Sequence, residues 1–544
     1  MPVDPTAARN QPAPLVGYDV VAADPALVSA LAAYDARQLV GELADLGRLA
    51  GSAEAREHAW LANRYPPELV TYDRYGNRLD EVRFHPSWHW LMTRATGFGL
   101  GAAPWVSESA TAHLRRAAAF YAWSQLESGH GCPMSMTYAA VPALRADPEQ
   151  AAEWTPRLAS TAYDFGLRAP ADKRGCLAGM GLTEKQGGSD VRANLTSARP
   201  LGDDGEYLLT GHKWFTSAPM DDVFLVLAQA PGGLTCFVVP RVLADGSRNP
   251  FRIMRLKDKL GNRSNASAEV ELVDTWGHRL GDEGRGVQTI IEMVAATRLD
   301  CALGSAALMR RAVAEAAWHV SQRSAFGRLL ADAPLMQNVV ADLAIESSAS
   351  TTLALRLAAA TDRAADPHEA ALRRIALPLA KFWICKRTPE VVAEALECLG
   401  GNGYVEESGL PLLFRESPLN SIWEGSGNIN ALDVLRALAS GPGPLDAWLA
   451  EVGAARGANQ HLDAAVHDVL ESLGDLSGGE SRARSIAAEM AVALAAALLF
   501  TAGAGDVADL FCAARLGPER RDVYGALPAT SGLRAVMDRA TPEA

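Results

Sequence analysis

The hydrophobic period of this chain changes twice, and that change limits the fold more than any single residue does. From Asp24 to about Tyr163 apolar residues recur at helical spacing: Leu27, Leu31, Tyr34, Leu39, Leu43 and Leu46, then again over Leu114 to Leu126. From about Gly175 to Gly284 the period becomes that of strands. Tyr207 to Thr210, Val223 to Ala228 and Leu234 to Val239 are short runs bounded by Gly211, Pro231-Gly232-Gly233 and Pro240. Ala268, Val270 and Leu272 alternate with Glu269, Glu271 and Val273, so one strand face is expected to be solvated. After Gly284-Arg285-Gly286 the helical period returns in long Ala/Leu-rich stretches, from Val287 to about Arg323, Pro334 to about Thr361 and Glu369 to Leu399. Ser440-Gly441-Pro442-Gly443-Pro444 reads as a linker before a further helical region. The chain thus divides into an N-terminal helical domain (1–174), a middle β domain (175–284), a helical bundle (285–440) and a C-terminal helical extension (441–544). It is mainly α with a small β domain.

At 544 residues the chain is too long for one core. Its longest apolar run, Ala491 to Phe500, is shorter than the ~18 residues a membrane span needs. The N-terminus has no basic-then-apolar signal. Seven cysteines are scattered without close pairs, which argues against a metal site or disulfide framework and for a reducing cytoplasm. A formal net charge of -13 disfavours nonspecific binding to polyanions.

Five segments could carry chemistry. Leu182-Thr183-Glu184-Lys185-Gln186-Gly187-Gly188-Ser189-Asp190 lacks Rossmann spacing, but its Gly-Gly-Ser turn can offer N–H groups and a hydroxyl to a phosphate. Alternation in Lys213-Trp214-Phe215-Thr216-Ser217 puts Trp214 and Thr216 on one strand face, where a planar, hydrogen-bonding ring could lie against them, and Phe215 on the other. Arg323-Ser324-Ala325-Phe326-Gly327, with Gln337 following, could clamp a pyrophosphate. Leu399-Gly400-Gly401-Asn402-Gly403-Tyr404 holds more glycine than a helix stop requires. Each has a plain structural alternative: a hairpin loop, a core Trp, a capped helix end, a turn.

The fifth is Ile422-Trp423-Glu424-Gly425-Ser426-Gly427-Asn428. A carboxylate held by an aromatic and short of water has a raised pKa, which suits a general base near neutral pH. The plain alternative is a helix start, capped by Ser426 or Asn428.

The order and spacing of these segments resemble the acyl-CoA dehydrogenase family of flavoproteins over roughly residues 60–440. Residues 183–190 look like its T-E-x-x-x-G-S-D loop, 213–217 its K-x-W-I-T-N segment, 323–327 its R-x-x-F-G motif and 399–404 its L-G-G-x-G-[FY] turn. Trp423-Glu424-Gly425 lies where many members carry Y-E-G. A closer resemblance, over nearly the whole chain, is to the AidB-like branch, the alkylation-response homologues. It rests on Asn10-Gln11-Pro12, Asn63 to Leu69, Val82 to Pro86, Lys257 to Ser267 and Asn420 to Asn428, and on the C-terminal region.

The resemblance implies an N-terminal helical domain, a β-barrel-like middle domain, a four-helix bundle and an FAD lying between the last two. Leu182, Thr183, Gly187, Gly188, Ser189 and Asp190 would form the flavin loop. Thr183 would meet the pyrimidine edge and Ser189 a phosphate. Trp214 would cover one ring face, Phe215 beside it, and Thr216 would bond near N5. Arg323, Phe326 and Gln337, with Gly400, Gly401 and Asn402, would hold the ADP half from a neighbouring subunit, implying a homo-oligomer, usually a tetramer. Trp423, Gly425, Ser426 and Asn428 would complete the site. Glu424 would be the catalytic base, because the other position some members use holds Thr297 here. Its neighbour Arg298 would contact substrate, while Glu292 is expected to be solvated.

Two segments depart from ordinary members: Lys185-Gln186-Gly187 replaces P-G-A, and Lys257 to Ser267 is more polar. The AidB-like branch also implies an alternative, a flavin-containing protective protein associated with double-stranded DNA and with residual turnover. Residues 442–544 hold eight arginines, no lysine and fourteen acidic residues, a net of -6, which is not a basic footprint. The expectation is a solvated helical surface with paired charges.

Overall fold

The structure, a computed structural model, describes residues 10–202, 204–475, 478–528 and 532–543. It divides into two compact units. One comprises Ala55–Phe120 and Leu126–Asp300; the other comprises the described residues up to Glu54, Tyr121–Gln125 and those from Cys301 onward.

The first unit is built around a strand circuit. Val223–Ala230 pairs antiparallel with Gly233–Pro240, which pairs with Ser267–Leu280. That strand pairs with Glu206–Ser217, which pairs with Ser197–Pro200, and a bridge from Ser197 to Gln229 returns to the start. Ala178–Gly181 lies parallel beside the first strand, and Phe251–Leu256 antiparallel beside the third, Ser267–Leu280. This is the expected barrel-like sheet, closed as strand twist permits. Ala268, Val270 and Leu272 are buried inside it while Glu269 and Glu271 stay partly exposed, so the alternation holds.

Two helices cover this sheet, Gly131–Leu144 and Pro148–Leu158, the second started by Asp147, whose carboxylate accepts from Glu149 and Gln150 N–H. Their Met136, Val141, Leu144, Trp154 and Leu158 share a core with Leu225, Leu227 and Val238 of the strands. The helical reading of 1–174 missed one feature of this unit, the hairpin Glu68–Tyr72/Arg78–Arg83. Its turn is closed by Asp73, which accepts from Tyr75 N–H at 2.8 Å and Asn77 N–H at 2.9 Å.

In the second unit, Leu27, Leu31, Leu39, Leu43 and Leu46 are all buried, as their spacing predicts. They do not form one helix. Asp35 adopts φ +54, and the segment splits into Pro25–Ala33, Leu39–Glu42 and Ala44–Ala50. The long helices match expectation closely: Gly286–Gln322, whose later part belongs here, Pro334–Asp362, Pro367–Cys398 and the shorter Gly427–Ala439.

The C-terminal helices are part of this unit's core. Gly479–Thr501 is long and apolar enough to cross a membrane, yet it is mostly buried within the protein. Trp448, fully buried, donates to its Met490 carbonyl at 3.2 Å. Arg515 pairs with Asp342 at 2.6 Å and Glu346 at 2.7 Å, and Arg356 pairs with Glu451 at 2.6 Å and Glu369 at 2.7 Å. Both clusters tie the extension to the bundle helices. All seven cysteines are free thiols.

Candidate functional site

The expected site residues fall into two groups, one in each unit. In the β unit, Leu182 to Asp190 leaves Ala178–Gly181 and turns against Glu206–Ser217, where Trp214 N–H donates to the Thr183 carbonyl at 2.8 Å. Behind this contact lies a buried ion pair that the motif reading did not single out. Glu184 accepts from Lys213 Nζ at 2.7 Å and from the N–H groups of Leu195 at 2.7 Å and Thr196 at 3.1 Å. Burial alone would raise its pKa, but these bonds outweigh it and hold the carboxyl down at about 2. Asn194 Nδ2 donates to the Leu182 carbonyl at 2.9 Å. The loop is therefore fixed from beneath, and Lys185 to Asp190 are left exposed. Glycine at 188 is required, since a Cβ there would lie 2.5 Å from Thr183 Oγ1.

Strict alternation at Trp214, Phe215 and Thr216 is not observed. The register slips between Lys213 and Thr216, where the strand carries one residue more than its partner. The bulge brings both rings to one cation. Lys257 Nζ is 3.4 Å from the Trp214 centroid and 4.7 Å from that of Phe215, which is 52% exposed. Thr216 is only 1% exposed, and its hydroxyl has no hydrogen-bond partner among the described residues. A buried hydroxyl of this kind is suited to a polar ring edge. Arg298 is buried on Gly286–Gln322, Thr297 donates to the Val294 carbonyl at 3.1 Å, and Glu292 is exposed as expected.

In the bundle unit, Arg323 to Gly327 does more than end a helix. Ser324–Ala325 and Arg328–Leu329 form a tiny hairpin with Phe326 and Gly327 at its tip, at φ +52 and +78. The Phe326 ring is wholly exposed, at 103%. The N-terminal arm joins this hairpin to the glycine turn. Asn10 accepts from Arg323 Nη1 at 2.5 Å and exchanges two 2.7 Å bonds with Ser324, and Gln11 accepts from Asn402 Nδ2 at 3.0 Å. Gly400 takes φ +58 and Gly401 leaves its surroundings open. Gln337 is turned to the Ala331 carbonyl at 2.9 Å.

Glu424 lies on the loop ahead of Gly427–Ala439, at φ +59, and Gly425 follows at φ +92. Two successive left-handed residues make a tight bend ahead of the helix. Lys381, 1% exposed, holds this bend. Its Nζ donates to the carbonyls of Asn420, Trp423 and Gly425 at 2.6, 2.8 and 2.9 Å. Asn430 Nδ2 donates to Gly425 and Ser426 carbonyls at 2.6 and 3.1 Å, and Trp423 Nε1 to Asn420 Oδ1 at 2.8 Å. Ser426 occupies the N-cap position without a side-chain cap bond, and Asn428 accepts from Arg484 at 2.9 Å. Glu424 itself is half-buried. Sequence reasoning missed Lys381 and Asn430. A lone lysine within Leu377 to Ile384 was the available signal.

Residues 10–165 match the Adaptive response protein AidB N-terminal domain, 179–275 the acyl-CoA dehydrogenase middle domain and 284–439 the acyl-CoA dehydrogenase C-terminal domain. The chain is 49% identical to the putative acyl-CoA dehydrogenase AidB of Escherichia coli over 466 residues, covering 85% of this chain and 86% of that one. Its fold is similar to the crystal structure of Caenorhabditis elegans ACDH-11 in complex with C11-CoA, with a TM-score of 0.85, 26% identity and coverage of 96% and 95%. It is also similar in fold to an acyl-CoA dehydrogenase complexed with FAD from Bacillus anthracis, with a TM-score of 0.65, 19% identity and coverage of 95% and 92%.

Proposed function

Because this chain belongs to the AidB branch of the acyl-CoA dehydrogenase family, we propose that it is an FAD-dependent oxidoreductase that dehydrogenates an acyl thioester, with Glu424 as the base. The observation that carries the reading is the Glu424 bend, fixed by three carbonyl bonds from one buried lysine. A base that must take a very weakly acidic proton gains from being held in place before the substrate arrives.

The chain's residues suit FAD. The unpartnered Thr216 hydroxyl and the close turn at Gly188 fit a ring edge and a phosphate. Leu182, Thr183, Gly187, Ser189, Asp190, Trp214 and Phe215 would hold the flavin end. Arg323, Phe326, Gln337, Gly400, Gly401 and Asn402 would hold the ADP half of a neighbouring subunit's cofactor, and Trp423, Gly425, Ser426 and Asn428 would flank the base. Bound FAD would supply the acceptor for the β hydride. Glu424 accepts the α proton on a carboxylate oxygen and becomes neutral, while Arg298 contacts the substrate. The wholly exposed Phe326 ring supports a homo-oligomer, which we take to be a tetramer. An adaptive response to alkylation, in the cytoplasm, is the setting attached to this activity.

Anaerobic mixing with a panel of acyl-CoAs tests the reading. Flavin bleaching is expected with at least one of them and is expected to be slowed strongly in Glu424→Gln. Equal rates in the variant would remove Glu424 from the mechanism, and no bleaching at all would remove the dehydrogenase.

The DNA-associated alternative has less behind it. Arg515, Arg534 and Arg539 pair with carboxylates, Arg482 bonds to carbonyls and Arg484 to Asn428. Few guanidinium groups of the extension are left for phosphates. Gel shifts with duplex DNA across a salt series test it.

A further inference from the structure

A second charged feature, formed by none of the residues assigned to flavin or substrate, lies within the β unit. A crevice of about 160 Å³ is lined by Arg78, Asp80, Arg241, Arg248, Asn249 and Arg252, with Leu79, Pro250 and Phe251 as its apolar wall. That is an order of magnitude more room than the ~10–15 Å³ one water needs. Four arginines meet there because the hairpin Glu68–Tyr72/Arg78–Arg83 packs beside Phe251–Leu256 and the segment that precedes it.

Arg241 is the unusual member. Only 3% of it is exposed, yet no carboxylate pairs with it among the described residues. Its Nη1 donates to the Pro219 carbonyl and its Nη2 to the Asp80 carbonyl at 2.9 Å. Its Nε has no partner at all among the described residues. The guanidinium lies over the Phe251 ring, 4.7 Å from the centroid. A guanidinium does not escape burial by losing its proton, so a buried one calls for a counter-anion. Burial, and then Arg248, push its pKa down to about 10, as expected of an uncompensated cation.

Most carboxylates nearby are already committed; Asp221, buried and without an ion-pair partner among the described residues, shares its field with Arg241 but makes no hydrogen bond to it. Asp80 accepts from Arg78 Nε at 2.7 Å and from Ile253 N–H at 2.8 Å, and Glu81 accepts from Arg248 at 2.5 Å. Glu271 faces Arg252 across the strand ladder, and Asp222 is paired with Lys173. Asp80 also takes φ +50, a left-handed bend that turns its carbonyl to Arg241. The hydrogen bonds of Arg241 thus go only to carbonyls, the carboxylates around it act on it through space, and it lines a concave space shared with Arg78, Arg248 and Arg252.

We propose that this crevice binds a small phosphate-type oxyanion, either inorganic phosphate or the phosphoryl group of a nucleotide. Converging guanidinium forks match the several oxygens of such a group better than a single carboxylate. The site is distinct from the residues assigned to flavin and substrate, so it stands whether or not the dehydrogenase reading does.

The test uses the full-length protein saturated with FAD, so that the flavin loop is not itself a phosphate sink. Thermal unfolding is followed against inorganic phosphate and, separately, adenosine 5′-phosphate, each compared with chloride at matched ionic strength. A saturable rise in Tm is expected with at least one of them. Arg241→Met would disturb a buried site, so Arg248→Gln and Arg252→Ser, both exposed, carry the comparison. Each is expected to weaken the ligand about 10-fold with unchanged flavin content, the loss of one charge-assisted contact. Tighter binding of adenosine 5′-phosphate would identify a nucleotide, and equal or weaker binding the free ion. A phosphate effect no larger than that of chloride would overturn the proposal. So would an effect that survives undiminished in the Arg248→Gln/Arg252→Ser double variant.

Discussion

Lys381 Nζ donates to the Trp423 carbonyl at 2.8 Å from a fully buried position, so the residue before Glu424 is fixed by a charge that no solvent reaches. The same ammonium holds the carbonyls of Asn420 and Gly425. Lys381→Met would leave the Asn420 and Trp423 carbonyls without that donor and the Gly425 carbonyl with Asn430 alone. A loss of about 2–4 kcal/mol is expected in urea unfolding, together with a fall in kcat larger than any change in KM. An unchanged kcat in folded, flavin-loaded protein would mean that the bend does not position the base.

Glu424 occupies backbone space that a non-glycine residue enters at a cost of about 1–2 kcal/mol, offset in part by the ~0.5–1 kcal/mol entropy cost glycine would bring. Glu424→Gly should therefore relieve that backbone cost while substrate reduction of the flavin is abolished; urea unfolding reads how far the relief offsets the loss of the side chain's own interactions. A clear loss of stability would indicate that the Glu424 side chain itself holds the loop.

Thr216→Val removes a buried hydroxyl that has no partner among the described residues. The apoprotein should be as stable as the parent or slightly more so. If that hydroxyl meets the flavin, the FAD Kd should rise about 10-fold, the value of one hydrogen bond. Fluorescence titration of apoprotein reads this directly, and an unchanged Kd would free Thr216 from the cofactor.

Acid should unfold the β unit through Glu127. Its carboxylate is buried, which alone would raise its pKa, but His130 Nδ1 at 2.7 Å, Ser264 Oγ at 2.6 Å, Asn63 Nδ2 at 3.0 Å and backbone N–H groups hold it down at about 2. A carboxyl whose folded pKa is depressed stabilises the protein above its unfolded pKa. That stability is lost as pH falls through the folded value, here between about pH 4.5 and 2, and amounts to roughly 3 kcal/mol. Urea unfolding at several pH values should show that slope in the parent. Glu127→Gln should be weaker at pH 7 and much flatter across the same window.

Arg515 joins the C-terminal extension to two buried carboxylates, Asp342 and Glu346. Arg515→Leu leaves Asp342 with only the Gly525 N–H and Glu346 with Trp383 and the more distant Arg387, and should cost about 3 kcal/mol. Arg520→Ala and Arg521→Ala, on exposed positions of the same region, should stay within about 0.5 kcal/mol. Equal effects at the three positions would contradict the pairing.

Much of this was legible in the chain. The bundle helices were bounded to within a residue or two because their apolar period is long and Ala/Leu-rich, and the strand runs were bracketed by Gly and Pro. The failures have local causes. Helical spacing ran through Asp35, whose left-handed conformation breaks the helix although every apolar residue around it is buried. Trp214 and Phe215 depart from alternation because a bulge is set by the partner strand, which no local pattern reports. Lys381 and the Glu184–Lys213 pair are buried charges whose partners lie tens of residues away, Lys381's being backbone carbonyls that carry no side-chain identity to read.

The closed strand circuit has a consequence for how the protein ages in solution. Val223–Ala230 is bonded along its length on one side by Gly233–Pro240, and on the other by Ala178–Gly181 and the bridge at Ser197. Its amides should be among the last to trade hydrogen for deuterium, exchanging only when the whole β unit opens. Such a strand offers no unpaired rim for a second molecule to extend into a fibril.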